Sequence, residues 1–153
     1  MPSINDYRRD LAAEEEGVWR DVLYGIRVRI ARLGSPAFKR EQERLRREYE
    51  KDYPTWDSMP EDLALEINQR AFSRACIRDW NVTDGEPGKE EPVPYTADVA
   101  FRYISDPELK DFWDALWLLA QDGNAYRKRV LQLAGNSGGG SGTKSSGGRT
   151  KKS

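Results

Sequence analysis

The sequence predicts a mainly α protein of the α+β kind: an N-terminal β-hairpin packed on a small bundle of about four helices, followed by a disordered C-terminal tail. Three observations predict it. Ile26-Arg27-Val28-Arg29-Ile30-Ala31-Arg32 alternates apolar and basic residues with the two-residue period of a half-buried strand. Downstream, apolar residues recur at three- and four-residue spacing in separate stretches, as helices with one buried face require. From Gly135 the chain is Gly/Ser-rich, lacks any large apolar residue and ends in bases, so it cannot bury enough surface to offset the entropy of ordering.

A chain of 153 residues suits one compact domain, and the expected division is a polar lead-in over 1–16, a single helical domain with its hairpin over 17–134, and a flexible Gly/Ser/Lys-rich tail over 135–153. Charged residues make up 33% and mean hydropathy is −0.85, yet five tryptophans, seven tyrosines and four phenylalanines supply the material of a core. The formal charge of −1 conceals an asymmetry, because Lys144, Arg149, Lys151 and Lys152 stand in the tail and leave about −5 for residues 1–134. An acidic body argues against a dedicated duplex-DNA binder. The single cysteine, Cys76, excludes an intramolecular disulfide and fits a reducing cytoplasm. With no eighteen-residue apolar run and no signal-peptide pattern, a soluble, non-secreted protein without a membrane partner is expected.

The elements follow in order. Val18-Trp19-Arg20-Asp21-Val22-Leu23 partners the alternating strand, turning at Tyr24-Gly25, where glycine supplies the positive φ of a tight turn. Ser35 as N-cap and Pro36 at the first helical position open a charge-dense helix reaching about Tyr53, with Phe38, Leu45 and Tyr49 as its narrow apolar stripe. Ser58-Met59-Pro60-Glu61 fits a capping box for a helix bearing Leu63, Ile67, Ala71 and Ala75. That helix ends in an extended corner, Ile77-Arg78-Asp79-Trp80-Asn81-Val82, which turns at Asp84-Gly85 and re-enters helix after Thr96. Asp106-Pro107 starts the last and most amphipathic helix, with Leu109, Phe112, Trp113, Leu116, Trp117 and Ala120 on one face; Gly123 interrupts it before Val130, Leu131 and Leu133.

Catalytic constellations are sparse. The chain has no histidine, which removes histidine-based triads and most zinc sites. Cys76 lies on an apolar helix face, Asp111 and Asp114 on a polar one, and the glycines of the tail lack the strand and helix of a phosphate loop. Asp79, Asn81, Thr83 and Glu90 echo calcium-loop spacing, but Asp84 occupies the glycine position and Pro87-Gly88 interrupts the loop, so a turn held by Asp and Asn side chains accounts for them. No enzyme, metal or cofactor is therefore expected. Trp19 and Trp80 sit at strand-like positions where an aromatic first of all anchors the fold, and with Tyr95 they are also the candidate partner-binding residues.

The hairpin from Val18-Trp19 to Ile30-Ala31-Arg32-Leu33-Gly34, the opening Ser35-Pro36-Ala37-Phe38, the corner Cys76-Ile77-Arg78-Asp79-Trp80-Asn81-Val82, and Val93-Pro94-Tyr95-Thr96 followed by Ala100 and Ile104-Ser105-Asp106-Pro107-Glu108-Leu109 together resemble the tail assembly chaperones of long-tailed, non-contractile bacteriophages, over residues 17–125. The connection from Asp84 to Glu91 is longer and more acidic than that family's brief turn. The resemblance implies a small helical protein that is not an enzyme. Such a protein binds the tape-measure protein in the host cell cytoplasm, keeps it soluble and helps tail-tube protein polymerise around it, with self-association left open. Two other readings stand beside it: a structural component of the virion or tail, and a small nucleic-acid-binding regulator using Arg27, Arg29, Arg32 and the basic tail.

Overall fold

A computed structural model describes residues 2–137, and among these it holds six α-helices, five short strands and four 3-10 turns. Strands β1 (Val18–Asp21) and β2 (Arg27–Ile30) form the expected hairpin, and β3 (Ile77–Trp80), drawn from the corner, completes an antiparallel sheet in the order β1-β2-β3. The register pairs Trp19 with Arg29 and Arg29 with Asp79 on one face, and Arg20 with Val28 and Val28 with Trp80 on the other. A register shift between Arg29 and Ile30 then sets Ile30 opposite Ile77, so Val28, Ile30, Ile77 and Trp80 are all buried. The small strands β4 (Thr83–Asp84) and β5 (Glu91–Pro92) close the acidic connection into a hairpin of its own. Gly85 is needed there, since its φ is +136° and a Cβ would meet the Lys89 carbonyl oxygen at 2.8 Å.

The helices rest on this sheet. Ser35 caps α2 (Pro36–Arg47), its Oγ accepting from the Phe38 N–H at 3.4 Å, and Phe38 and Leu45 are the buried stripe. The remaining charge forms ion pairs along and between helices: Arg46 with Glu43 at 2.7 Å, Arg44 with Glu41 at 2.9 Å, and Arg74 of α3 (Glu61–Ala75) with Glu41 at 3.3 Å. Ion pairs at a helix surface add little, so the apolar stripe holds the helix in place. The helix stops short of Tyr53, because residues 48–52 are a series of turns. Nor is α3 opened by the expected capping box. Pro60 is its N-cap, and Ser58 instead accepts from the Thr55 N–H and donates to the Thr55 carbonyl, closing a 3-10 turn upstream. Thr96 caps α4 (Ala97–Ile104) through the Val99 N–H, and Asp106 caps a 3-10 turn that runs into α5 (Lys110–Gln121).

The core is aromatic. Phe72 meets Trp113 edge-on at 5.1 Å and Trp117 at 6.0 Å, while Trp113 and Trp117 lie 5.1 Å apart. Ile67, Ile104, Leu116 and the inner sheet face surround them.

Residue contacts group the chain into two compact units. Ala12–Gln121 carries the sheet, the helices α2 to α5 and the aromatic core. The other unit joins Met1–Leu11 to the chain from Asp122 onward. In it the lead-in is tied down by backbone: Arg9 bridges Arg127, the Asp10 N–H donates to the Tyr126 carbonyl at 2.8 Å, and the Lys128 N–H donates to the Arg8 carbonyl at 3.0 Å. Arg129 adds an ion pair to Asp6 at 2.6 Å. Backbone pairing leaves no hydrophobic period, which is why composition read this segment as loose. A short helix, α1 (Leu11–Glu16), begins at the boundary, and α6 (Lys128–Ser137) carries the backbone past the expected limit at 134. Residues 138–153 of the expected tail lie outside the described residues.

Candidate functional site

A solvent-open groove of about 460 Å³ lies between the β1–β2 turn, the corner after β3, and the junction of α4 with α5. Its apolar lining is Val22, Ile26, Val82, Leu109 and Phe112, all buried or half-buried. Asp84, Glu108 and Asp111 are exposed around it and Asp106 is half-buried; none of the lining residues is Lys or Arg. The groove therefore combines apolar surface with a negative border.

The hairpin tip forms one wall. The Val22 N–H donates to Ile26 O, the Ile26 N–H donates to Leu23 O, and both central residues of the turn have positive φ, 57° at Tyr24 and 81° at Gly25. That is the requirement of a type I′ turn, and asparagine, aspartate or glycine meets it more cheaply than tyrosine. Tyr24 is nevertheless 96% exposed and Leu23 53%, so neither side chain is compensated by burial. The turn is locked from the corner by Asn81: its Oδ1 accepts from the Arg27 N–H at 2.7 Å and its Nδ2 donates to Gly25 O at 3.3 Å. Tyr24→Asn is expected to raise unfolding stability by about 1 kcal/mol, read as a higher urea midpoint at unchanged slope.

Of the expected partner-binding residues, Trp80 and Tyr95 are brought together and Trp19 is not. Trp80 is 7% exposed; its Nε1 donates to Val93 O at 2.7 Å and its ring meets Tyr95 at 5.6 Å and Tyr103 at 6.0 Å. Tyr95 donates its hydroxyl to Ser73 O at 2.6 Å. These two brace the corner from inside, and only Tyr103, beside them, reaches the groove. Trp19 is 40% exposed on the opposite face of the sheet, with the Arg27 guanidinium 5.9 Å from its ring. Leu23 and Tyr24 were not singled out by sequence. The signal was present in a tyrosine preceding glycine at a two-residue turn, where both positions need positive φ.

The other candidate groups are engaged locally. Arg27 pairs with Asp21 at 2.8 Å and Arg32 with the buried Glu14 at 3.0 Å. In the stretch with calcium-loop spacing, Asp79 Oδ1 accepts from the Trp80 N–H and Glu90 Oε1 from the Gly88 N–H. Cys76 is fully buried, and burial pushes its thiol far above the ordinary range.

Residues 33–135, about two-thirds of the chain, match the family described as YdaY prophage protein. The chain belongs to that family. It is thus a phage-derived protein, and no curated protein and no solved structure matches it. The YdaY match includes the α4, α5 and corner sides of the groove and begins after the hairpin tip. Among its described residues, this YdaY-family chain has no helix long and apolar enough to cross a membrane.

One polar contact joins two lining residues of the groove in this YdaY-family protein: the Tyr103 hydroxyl donates to Asp84 Oδ2 at 2.7 Å. That bond, helped by the Gly85 N–H, holds the Asp84 carboxyl below its usual value and pushes the Tyr103 phenol above its own. A lowered carboxylate pKa contributes stability present above about pH 4 and lost as pH falls through the lowered value. A raised phenol pKa contributes stability present below about pH 10 and lost as pH rises through the raised value. The difference in urea midpoint between the wild type and Tyr103→Phe is expected to be constant between roughly pH 5 and pH 9 and to shrink beyond both ends.

Proposed function

We propose that this phage-derived protein is a non-enzymatic tail assembly chaperone that binds the tape-measure protein in the host cytoplasm, keeps it soluble and promotes assembly of tail-tube protein around it. Membership of a prophage family and the resemblance carried by the hairpin, corner and Asp106-Pro107 junction support the phage-assembly context. The observation that carries the reading is the open apolar groove, flanked by an exposed Leu23-Tyr24 tip held in a strained turn. Strain at an exposed residue persists where function requires it, and a groove of this kind can cover the apolar stripe of a helix that would otherwise aggregate.

Co-expression with the tape-measure protein of the same phage tests it. The expected result is a soluble client that co-purifies with the wild type and pellets with the Leu23→Asp/Tyr24→Ala variant. A client that precipitates alike with and without this protein, or a protein recovered as a stoichiometric part of purified virions, overturns the reading.

A further inference from the structure

We infer that the groove takes a helix whose apolar stripe is bordered by lysine or arginine, with Tyr24 as the anchor that the helix packs against. This rests on the client-binding reading above and specifies the client's chemistry. The lining comes from three separate elements, and its only strand residues are Thr83 and Asp84 of the two-residue β4, too short to offer a peptide a row of backbone partners. An extended peptide would leave its own N–H and C=O groups unmatched, whereas a helix satisfies them internally. The apolar lining then calls for residues at helical spacing on one face of the occupant.

Charge selects among occupants with such a face. Asp84, Asp106, Glu108 and Asp111 border the groove with no base among the lining residues, so a basic flank is attracted and an acidic one repelled. The protein's own segment 138–153 has the bases, Lys144, Arg149, Lys151 and Lys152, but no large apolar residue to fill the groove. A second copy would bring a body of charge about −5 against another of the same sign. A basic amphipathic helix from another protein satisfies both demands. Tyr24 supplies the remaining element: it presents a nearly complete aromatic surface at the groove's edge from a turn that a smaller residue would stabilise, the kind of side chain that dominates an interface.

The test uses the full-length protein and three synthetic helical peptides of about five turns: a Leu stripe bordered by Lys, the same stripe bordered by Glu, and a scramble of the Lys peptide without a stripe. Fluorescence anisotropy is expected to show the Lys-bordered peptide binding at least about tenfold more tightly than either control, with the preference shrinking as salt rises. Tyr24→Asn should weaken binding about tenfold or more while its urea midpoint shows the fold intact. Glu108→Lys/Asp111→Lys leaves two acids against two lysines at the border and should abolish the preference between Lys and Glu borders. Equal binding of both striped peptides, or binding unaffected by Tyr24→Asn, overturns the inference. So does a truncation at residue 137 that binds at least tenfold more tightly than the full chain, which assigns the groove to the tail. A dimer dissolved by Tyr24→Asn assigns it to a second copy, with the same consequence. Co-expression separates the two levels: if Glu108→Lys/Asp111→Lys still keeps the tape-measure protein soluble, the chaperone reading stands and this inference falls. If the wild type fails to keep it soluble, the chaperone reading falls and the peptide preference still decides the groove.

Discussion

Replacing Phe72 with alanine is expected to destabilise the protein by about 3–5 kcal/mol. Phe72 is fully buried on α3 and its ring contacts both Trp113 and Trp117 of α5. Removing it deletes the transfer energy of a whole ring and opens a space that the two indoles, already in contact with each other, cannot fill without losing their own packing. Domains of this size have a total stability of about 5–15 kcal/mol, so the variant should unfold at a much lower urea concentration and expose its tryptophans to solvent. Phe72→Leu keeps most of the volume and should cost about 1–1.5 kcal/mol. Urea unfolding followed by tryptophan fluorescence separates the two. A Phe72→Ala cost near that of Phe72→Leu would mean the aromatic cluster is not the centre of the core.

Trp80→Ala is expected to cost a further-ranging 3–5 kcal/mol or so, because the indole is both a buried ring and the tie between β3 and the chain after β5. Its partner Trp80→Phe isolates the tie. Phenylalanine keeps the edge-on contacts with Tyr95 and Tyr103 but leaves the Val93 carbonyl without its donor, a loss of about 1–2 kcal/mol. The site responds as well as the fold. Since Tyr103 leans on Trp80 and also lines the groove, Trp80→Ala should weaken binding of the proposed lysine-bordered helix even under conditions where the protein remains folded. Hydrogen exchange of the Val93 and Asn81 amides, which donate to Val82 O and Arg27 O, reads the loosening of the corner directly.

Much of the architecture was legible because it is written in local periods and caps. The alternation from Ile26 to Arg32, the stripe Ile67, Ala71, Ala75, and the N-caps Ser35, Thr96 and Asp106 each act within one element, so the sequence alone exposes them. What was not legible depends on distant partners. Ile77–Trp80 becomes a strand by pairing with β2 across a long separation, and Arg8 to Asp10 are ordered by the backbone of 126–128. Ser58 shows the converse: a capping pattern correct in spacing loses to a competing bond with Thr55. For the groove, sequence found the corner and left Trp80 between anchoring the fold and meeting a partner, because an aromatic at a strand position reads the same whether it faces in or out; its Nε1 bond to Val93 O ties it into the fold. The residues that do face out, Leu23 and Tyr24, were hidden inside a turn, and Asp106, Glu108 and Asp111 looked like ordinary caps and solvated charge.

The placement of β2 at the centre of its sheet bears on how the protein is made. One edge of β2 is covered within a few residues by β1, but the other waits for β3, which begins 47 residues after Ile30. At a synthesis rate of about 5–20 residues per second, a nascent chain displays that open edge for roughly 2–10 s. Neighbouring ribosomes on one message hold identical hairpins in the same condition, an invitation to pair with each other. Arg27 and Arg29, alternating with Val28 and Ile30, place like charges where two such strands would meet, so the arginines guard the growing chain until its own third strand arrives.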